Sequence, residues 1–112
     1  MNVAENTISI NVAQEFSKTP GPRFKTEGEF SGEEFRERVL EPKFLQARDE
    51  KSRLVVDLDG GYGYATSFLE EAFGGLARRY GQEPLLSMLQ IQSAEEPYLV
   101  DDIKRYIRGE RD

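Results

Sequence analysis

Residues 53–81 constrain the fold of this chain more than any other stretch. "RLVVDLD" (Arg53–Asp59) is nearly continuously apolar through Leu54, Val55, Val56 and Leu58, "GGYG" (Gly60–Gly63) can only turn, and "TSFLEEAFGGLARRY" (Thr66–Tyr80) has helical periodicity. Leu54, Val55, Val56 and Leu58 form the pattern of a strand buried on both faces. Leu69, Ala72, Phe73, Leu76 and Tyr80 share one apolar helical stripe, with Phe68 and Ala77 at its flanks. Glu70 and Glu71 in the first turn and Arg78 and Arg79 in the last complement the helix dipole, and Gly81 is a natural stop. A strand feeding a helix through a glycine turn predicts an α/β protein.

The remaining segments fill in the layers. Asn6–Val12 alternates Ile8, Ile10 and Val12 against Thr7, Ser9 and Asn11, as in a half-buried strand. Ser17–Phe24 contains Pro20, Gly21 and Pro22 and reads as a loop. Arg23–Phe30 is expected to be a short edge strand broken near Gly28. Ser31 and Glu34 fit a capping box opening a helix with Phe35, Val39 and Leu40 on one face. Pro42 is expected to interrupt that helix and to start a further one over Glu41–Arg48. Leu85–Gln92 reads as a strand, and Pro97–Arg108 as a last helix with Val100, Ile103, Tyr106 and Ile107 inward. This order predicts a mixed β-sheet covered by about four helices. The 112 residues allow one core, so residues 1–112 are expected to form a single domain.

Composition excludes several chemistries. The chain has no Cys, His or Trp. Disulfides, zinc centres built on Cys or His, cysteine nucleophiles and histidine general bases are therefore ruled out. No catalytic residue, metal site or cofactor is expected. With 21 acidic and 15 basic residues the net charge is −6, which disfavours nucleic acid and anionic membranes as partners. The N-terminal residues do not resemble a signal peptide, and no segment approaches the ~20 apolar residues that span a bilayer. A cytoplasmic protein is the expectation.

"LVVDLDGGYGYATSFLEEAFGGLARRYG", "SGEEFRERVLEPKF" and "TPGPRF" resemble the STAS-like domains, a bacterial family of undefined function related to anti-sigma factor antagonists. The resemblance runs from roughly Ile8 to Ile107. In the antagonists a buried strand ends in a turn carrying an Asp-Ser-Ser step at a helix start. A kinase of the histidine-kinase-type ATPase fold phosphorylates the first Ser and thereby abolishes binding. By resemblance, Thr66 takes the phospho-acceptor position and Ser67 that of the second Ser, while Ala65 stands where the antagonists have Asp. The resemblance implies a non-enzymatic interaction and regulatory domain that binds a histidine-kinase-type ATPase or an anti-sigma-like regulator. The implied contact face comprises Tyr62, Tyr64, Thr66, Ser67, Glu70, Glu71, Gly74 and Arg78. A homo-oligomer stays open.

The same residues have plainer readings. Thr66 and Ser67 can be simple helix caps, or a site where added phosphate changes the charge a partner meets. Gly74 and Gly75 each cost a helix about 1 kcal/mol relative to Ala. They lie off the apolar stripe, beside Glu71 and Arg78, and leave a flat patch for a neighbouring helix or a partner. Tyr62 and Tyr64 flank Gly63 and are expected on the turn surface. "VVDLDGGYG" also resembles the first motif of haloacid-dehalogenase-type phosphatases, which would make Asp57 the nucleophile and Asp59 the acid/base beside Mg²⁺. Against that, Asp57 and Asp59 can simply bind backbone N–H groups of the glycine turn. Arg23, in the Pro-Gly-Pro loop, is a candidate contact for a phosphate or carboxylate, or one half of a salt bridge.

Overall fold

The computed structural model describes residues 6–110. Three strands form one sheet in the order β1 (Thr7–Asn11), β2 (Arg53–Asp57), β3 (Leu89–Gln92), and both pairings are parallel. The sheet is thus purely parallel where a mixed one was expected. Two differences account for this. Arg23–Phe30 makes no strand: Gly21 N–H donates to Phe30 O, and a 3-10 turn occupies Lys25–Glu27. Leu85–Gln92 is a strand only from Leu89, because its first half belongs to a helix over Gln82–Met88.

Among the described residues, five helices complete the α/β domain. A single turn, α1 (Val12–Glu15), leaves β1 with Asn11 as its cap. Next, α2 (residues 32–50) runs through α-helix Gly32–Phe35, π-helix Arg36–Leu40 and α-helix Glu41–Glu50. Ser31 Oγ accepts from Glu34 N–H at 3.0 Å, so the Ser31 half of the expected capping box is present, while the Glu34 carboxylate pairs with Arg38. Pro42 does not interrupt the helix. A proline clashes with the carbonyl four residues earlier, and the wider π turn ahead of it carries that mismatch. Helix α3 (residues 66–80) has the same construction, with π-helix Glu70–Gly74 between α-helical ends. The two π stretches touch. Then α4 (Gln82–Met88) leads into β3, and α5 (Tyr98–Ile107) ends the described chain.

Register puts Ile8, Leu54 and Leu89 in one row and Ile10, Val56 and Ile91 in the next. These rows face the helices and pack with Phe35, Phe44, Phe68 and Phe73, all buried. The opposite rows carry Ser9, Val55 and Gln90, then Asn11, Asp57 and Gln92, and every one of these is exposed or half-buried. β2 is therefore enclosed on one face, not two. Its run of apolar residues overstates its burial because Val55 lies on the open side. The core ties α2 to α3 most closely where they cross: Phe35 and Phe68 stack at 5.7 Å, and a Cβ on Gly32 would stand 3.0 Å from Phe68 Cα.

Candidate functional site

The three strands end together, and the glycine turn leaves from the carboxyl edge of the sheet. Two aspartates hold it there. Asp57 accepts from Asp59 N–H at 2.9 Å and from Asn11 Nδ2 at 3.3 Å. Asp59 accepts from the N–H groups of Ala94 (3.1 Å) and Glu95 (2.9 Å), and Glu95 in turn accepts from Gly60 N–H at 2.9 Å. Both carboxylates are occupied, but not by the glycine turn as the plainer reading has it: Asp57 holds Asp59 N–H and the Asn11 amide, Asp59 holds the loop after β3, and the Gly60 N–H goes to Glu95 instead. No group of acidic side chains suited to a metal ion is found among the described residues.

Beyond that anchor the rim opens. Gly60 and Gly63 have φ of 92° and 65°, a backbone region that favours glycine, and so swing the turn outward. Tyr62 is 69% exposed, and its N–H donates to Lys18 O at 2.7 Å, which joins the turn to the proline loop. Tyr64 does not share that exposure. It is half-buried, its phenol donates to Leu58 O at 2.9 Å, and its ring lies 6.1 Å from that of Phe68. Burial, followed by the field of Asp57 and its acidic neighbours, pushes the phenol pKa well above its ordinary value.

At the start of α3, the cap position belongs to Ala65, and no side chain caps the helix. Thr66 is exposed and Ser67 half-buried, one and two residues into the helix. Their hydroxyls are not the caps that a hydroxyl at a helix start most often supplies. The Ala at the preceding position explains this, because it starts the helix one residue too early for Thr66 to serve.

Of the rest of the expected contact face, all but Arg78 is buried. Glu70 is 2% exposed, and Glu71 and Gly74 are also buried. Glu70 grips Arg23 through one oxygen and Arg78 Nη1 through the other, the latter at 2.6 Å. Glu71 pairs with Arg36 at 3.1 Å and lies 3.8 Å from both Arg23 and Arg78. Glu41 extends the array to Arg79 at 3.2 Å and to the Tyr80 hydroxyl. Arg23 thus binds a carboxylate of its own chain, and Arg78 and Arg79, with side chains 44% and 59% exposed, carry the array to the surface.

The glycine pair belongs to this array. A Cβ on Gly74 would meet Glu70 Oε2 and the Tyr106 carbonyl, and one on Gly75 would meet Arg36 Nε at 2.9 Å. The flat patch expected of Gly74 is filled by the chain itself. Arg36, Glu41 and Tyr80 were not among the expected site residues. The signal that could have found the array is the spacing of "EEAFGG", in which each Glu has a Gly four residues on.

The expected face therefore separates into an outer rim of Tyr62, Thr66 and Ser67, with Tyr64 beneath it, and an inner array of Glu70, Glu71, Gly74 and Arg78. No helix among the described residues is long and apolar enough to cross a membrane. No curated protein and no solved structure matches the chain significantly. Residues 31–99, well over half of the sequence, match the STAS-like domain of unknown function, DUF4325. The matched part contains β2, the rim, all of α3 and every acid of the array, so the chain belongs to this family of STAS-like domains.

Proposed function

We propose that this domain is a non-enzymatic interaction module of the bacterial cytoplasm that docks on a protein partner through the rim formed by Tyr62, Thr66 and Ser67. One observation carries the reading: Tyr62 is exposed on the turn that leads into a helix whose first two hydroxyls, Thr66 and Ser67, cap nothing. Exposed Tyr beside flexible Gly suits a binding hot spot. Occupation of Asp57 and Asp59 by backbone N–H groups supports binding over Mg²⁺-dependent hydrolysis. The partner class that the family resemblance favours is a histidine-kinase-type ATPase or an anti-sigma-like regulator.

The second reading makes the rim a phospho-regulated switch. Exposure of Thr66 favours it, because a kinase needs that hydroxyl free and an added phosphate would bring about −1.5 to −2 of charge to the contact surface.

Affinity purification of wild type, Tyr62→Ala and Thr66→Glu from the native cell, with quantitative mass spectrometry, tests both. A partner retained by wild type and lost by Tyr62→Ala is the expected result. Equal retention by all three removes the rim as the contact surface. Loss of the partner by Thr66→Glu, together with a phosphorylated Thr66 peptide, supports the switch; retention removes it. Mg²⁺-dependent phosphatase activity that disappears in Asp57→Asn would replace both readings with an enzyme.

A further inference from the structure

The two outer edges of the sheet are finished differently. On β1, Asn6 O accepts from Arg53 N–H at 2.9 Å. Along this parallel ladder Ile8 and Ile10 therefore turn their main chain to β2, while Thr7, Ser9 and Asn11 turn theirs outward. The last outward donor, Asn11 N–H, is taken by the Glu15 carboxylate at 2.8 Å. A charged side chain laid on an edge strand blunts it against further pairing.

β3 has no such guard, and among the described residues no strand pairs with its outer side. Gln92 O accepts from Leu58 N–H at 2.8 Å, so Gln90 and Gln92 turn their main chain to β2, and Ile91 turns both its N–H and its C=O outward. Leu89 N–H donates to Leu85 O at the end of α4, which leaves only the Leu89 C=O for the edge. Ser93 N–H comes next on the same side. The outward series is thus an acceptor at Leu89, both groups at Ile91 and a donor at Ser93, which is complementary to itself when run antiparallel. The side chains suit the same neighbour. β3 carries neither charge nor proline, and Pro84–Ala94 is the longest uncharged run in a chain with 32% charged residues. Leu89 and Ile91 belong to the helix-facing rows but are only half-buried, because nothing flanks them.

We propose that β3 pairs antiparallel with β3 of a second copy of this chain, about a twofold axis at Ile91, and so joins two three-stranded sheets into one of six strands. Ile91 exchanges both bonds with the partner's Ile91, and Leu89 O accepts from the partner's Ser93 N–H. Gln90 then stands opposite the partner's Gln92 on the open face, where their amides can hydrogen-bond. Two copies of net charge −6 repel over most of their surface, and the uncharged run is where they can approach. Antiparallel pairing also sends Glu95 and Glu96 of the two copies to opposite ends of the contact. A basic strand from another protein would find no carboxylate on β3 to meet. The two rims at the carboxyl edges point in opposite directions, so both stay free. Four main-chain bonds make a small contact, as in weak and reversible dimers.

Sedimentation velocity of the whole chain over a concentration series tests this, and a reversible monomer–dimer equilibrium below about 1 mM is the expected result. Gln90→Lys combined with Gln92→Lys sets like charges opposite each other twice and should weaken the dimer about tenfold. Gln90→Glu combined with Gln92→Lys sets opposite charges at the same places and should restore it. Both side chains are exposed, so neither double variant disturbs the core. Because the chain has no Cys, a single Ile91→Cys reports the register. Paired residues of this kind have Cα atoms about 5.5 Å apart, within reach of a disulfide. Mild oxidation should link Ile91→Cys into dimers and leave Ser9→Cys, on the other edge, monomeric. Four results would overturn the proposal: a monomer at about 1 mM, a first double variant that dimerises as tightly as wild type, a second one no tighter than the first, or oxidation that links Ser9→Cys or fails to link Ile91→Cys.

Discussion

Glu70 Oε2 lies 2.7 Å from the point where a Cβ on Gly74 would stand. The glycine therefore exists in this helix to leave room for a buried carboxylate. Replacing Gly74 with Ala gains about 1 kcal/mol of helix propensity. The new methyl also meets Tyr106 O at 3.2 Å and Arg78 Nη1 at 3.3 Å, and overpacking of this kind costs about 1–3 kcal/mol. Gly74→Ala should thus be net destabilising by about 1 kcal/mol. Gly32→Ala should cost about 3 kcal/mol, since its obstacle is Phe68 main chain, which cannot swing aside as a Glu side chain can. Urea denaturation of both variants checks the ranking. Equal losses would mean that the array is as rigid as backbone.

Arg23 and Glu70 join the proline loop to α3 across 47 residues of sequence. Breaking a buried charge pair costs about 3–5 kcal/mol, and the 28% exposure of the Arg23 side chain moderates this through solvent screening. Glu70→Gln and Arg23→Ala should each lower stability by about 1–3 kcal/mol, with a coupling energy of about 1 kcal/mol or more in a double-mutant cycle. Hydrogen exchange of residues 20–31 should rise in both variants. Additive effects would show that the loop is held by its backbone bonds from Gly32 and Glu33 to Pro22 and Arg23 alone.

The βα unit was legible in the sequence because its signals are local: β-branched residues, glycines in sequence, and a stripe at helical spacing. What was not legible depends on distant partners. Val55 reads as core by composition, and only the register with Ser9 and Gln90 places it on the open face. Leu85 and Leu86 read as strand by hydrophobicity, but Gln82–Met88 is helical, and Leu85 is buried while Leu86 is exposed. A short apolar run carries no periodicity long enough to decide between those states. The inner part of the contact face was misplaced for a related reason. Glu70 and Glu71 look like dipole-complementing surface charges until arginines from residues 23 and 36 arrive over them. Tyr62 and Thr66 needed no distant partner to be exposed, and there the sequence reading and the structure agree.

Two hydroxyls at two helix starts offer a sharp comparison. Ser31 is fully buried and accepts from Glu34 N–H; Thr66 caps nothing. Ser31→Ala should cost about 1 kcal/mol, the usual loss of a cap. Thr66→Ala should stay within about 0.5 kcal/mol of wild type, as for a surface site without special features. Thermal or urea midpoints decide it. A loss at Thr66 as large as that at Ser31 would mean that its hydroxyl is structural, and would weaken its assignment to the contact rim.

Tyr64 predicts how stability responds to alkali. Burial first, and then Asp57, Glu96, Asp59 and Glu95, raise its pKa in the fold, whereas an unfolded tyrosine titrates near about 10. The folded chain holds this proton more tightly than the unfolded chain does. Its contribution is therefore complete below about pH 10 and is lost as pH climbs toward the folded value. Tyr64→Phe removes the bond to Leu58 O, a loss of about 1 kcal/mol at neutral pH, but it also removes the titration. Stability of the variant should fall less steeply than that of wild type above about pH 10, so the gap between the two narrows. Tyr98→Phe is the control. The Tyr98 phenol is also raised, chiefly by its bond to Glu96, but the side chain is exposed, and its removal should flatten the slope less than Tyr64→Phe does. Parallel slopes for wild type and Tyr64→Phe in urea midpoints measured across this range would show that the phenol is not sealed under the glycine turn, and that the rim moves enough to let water reach it.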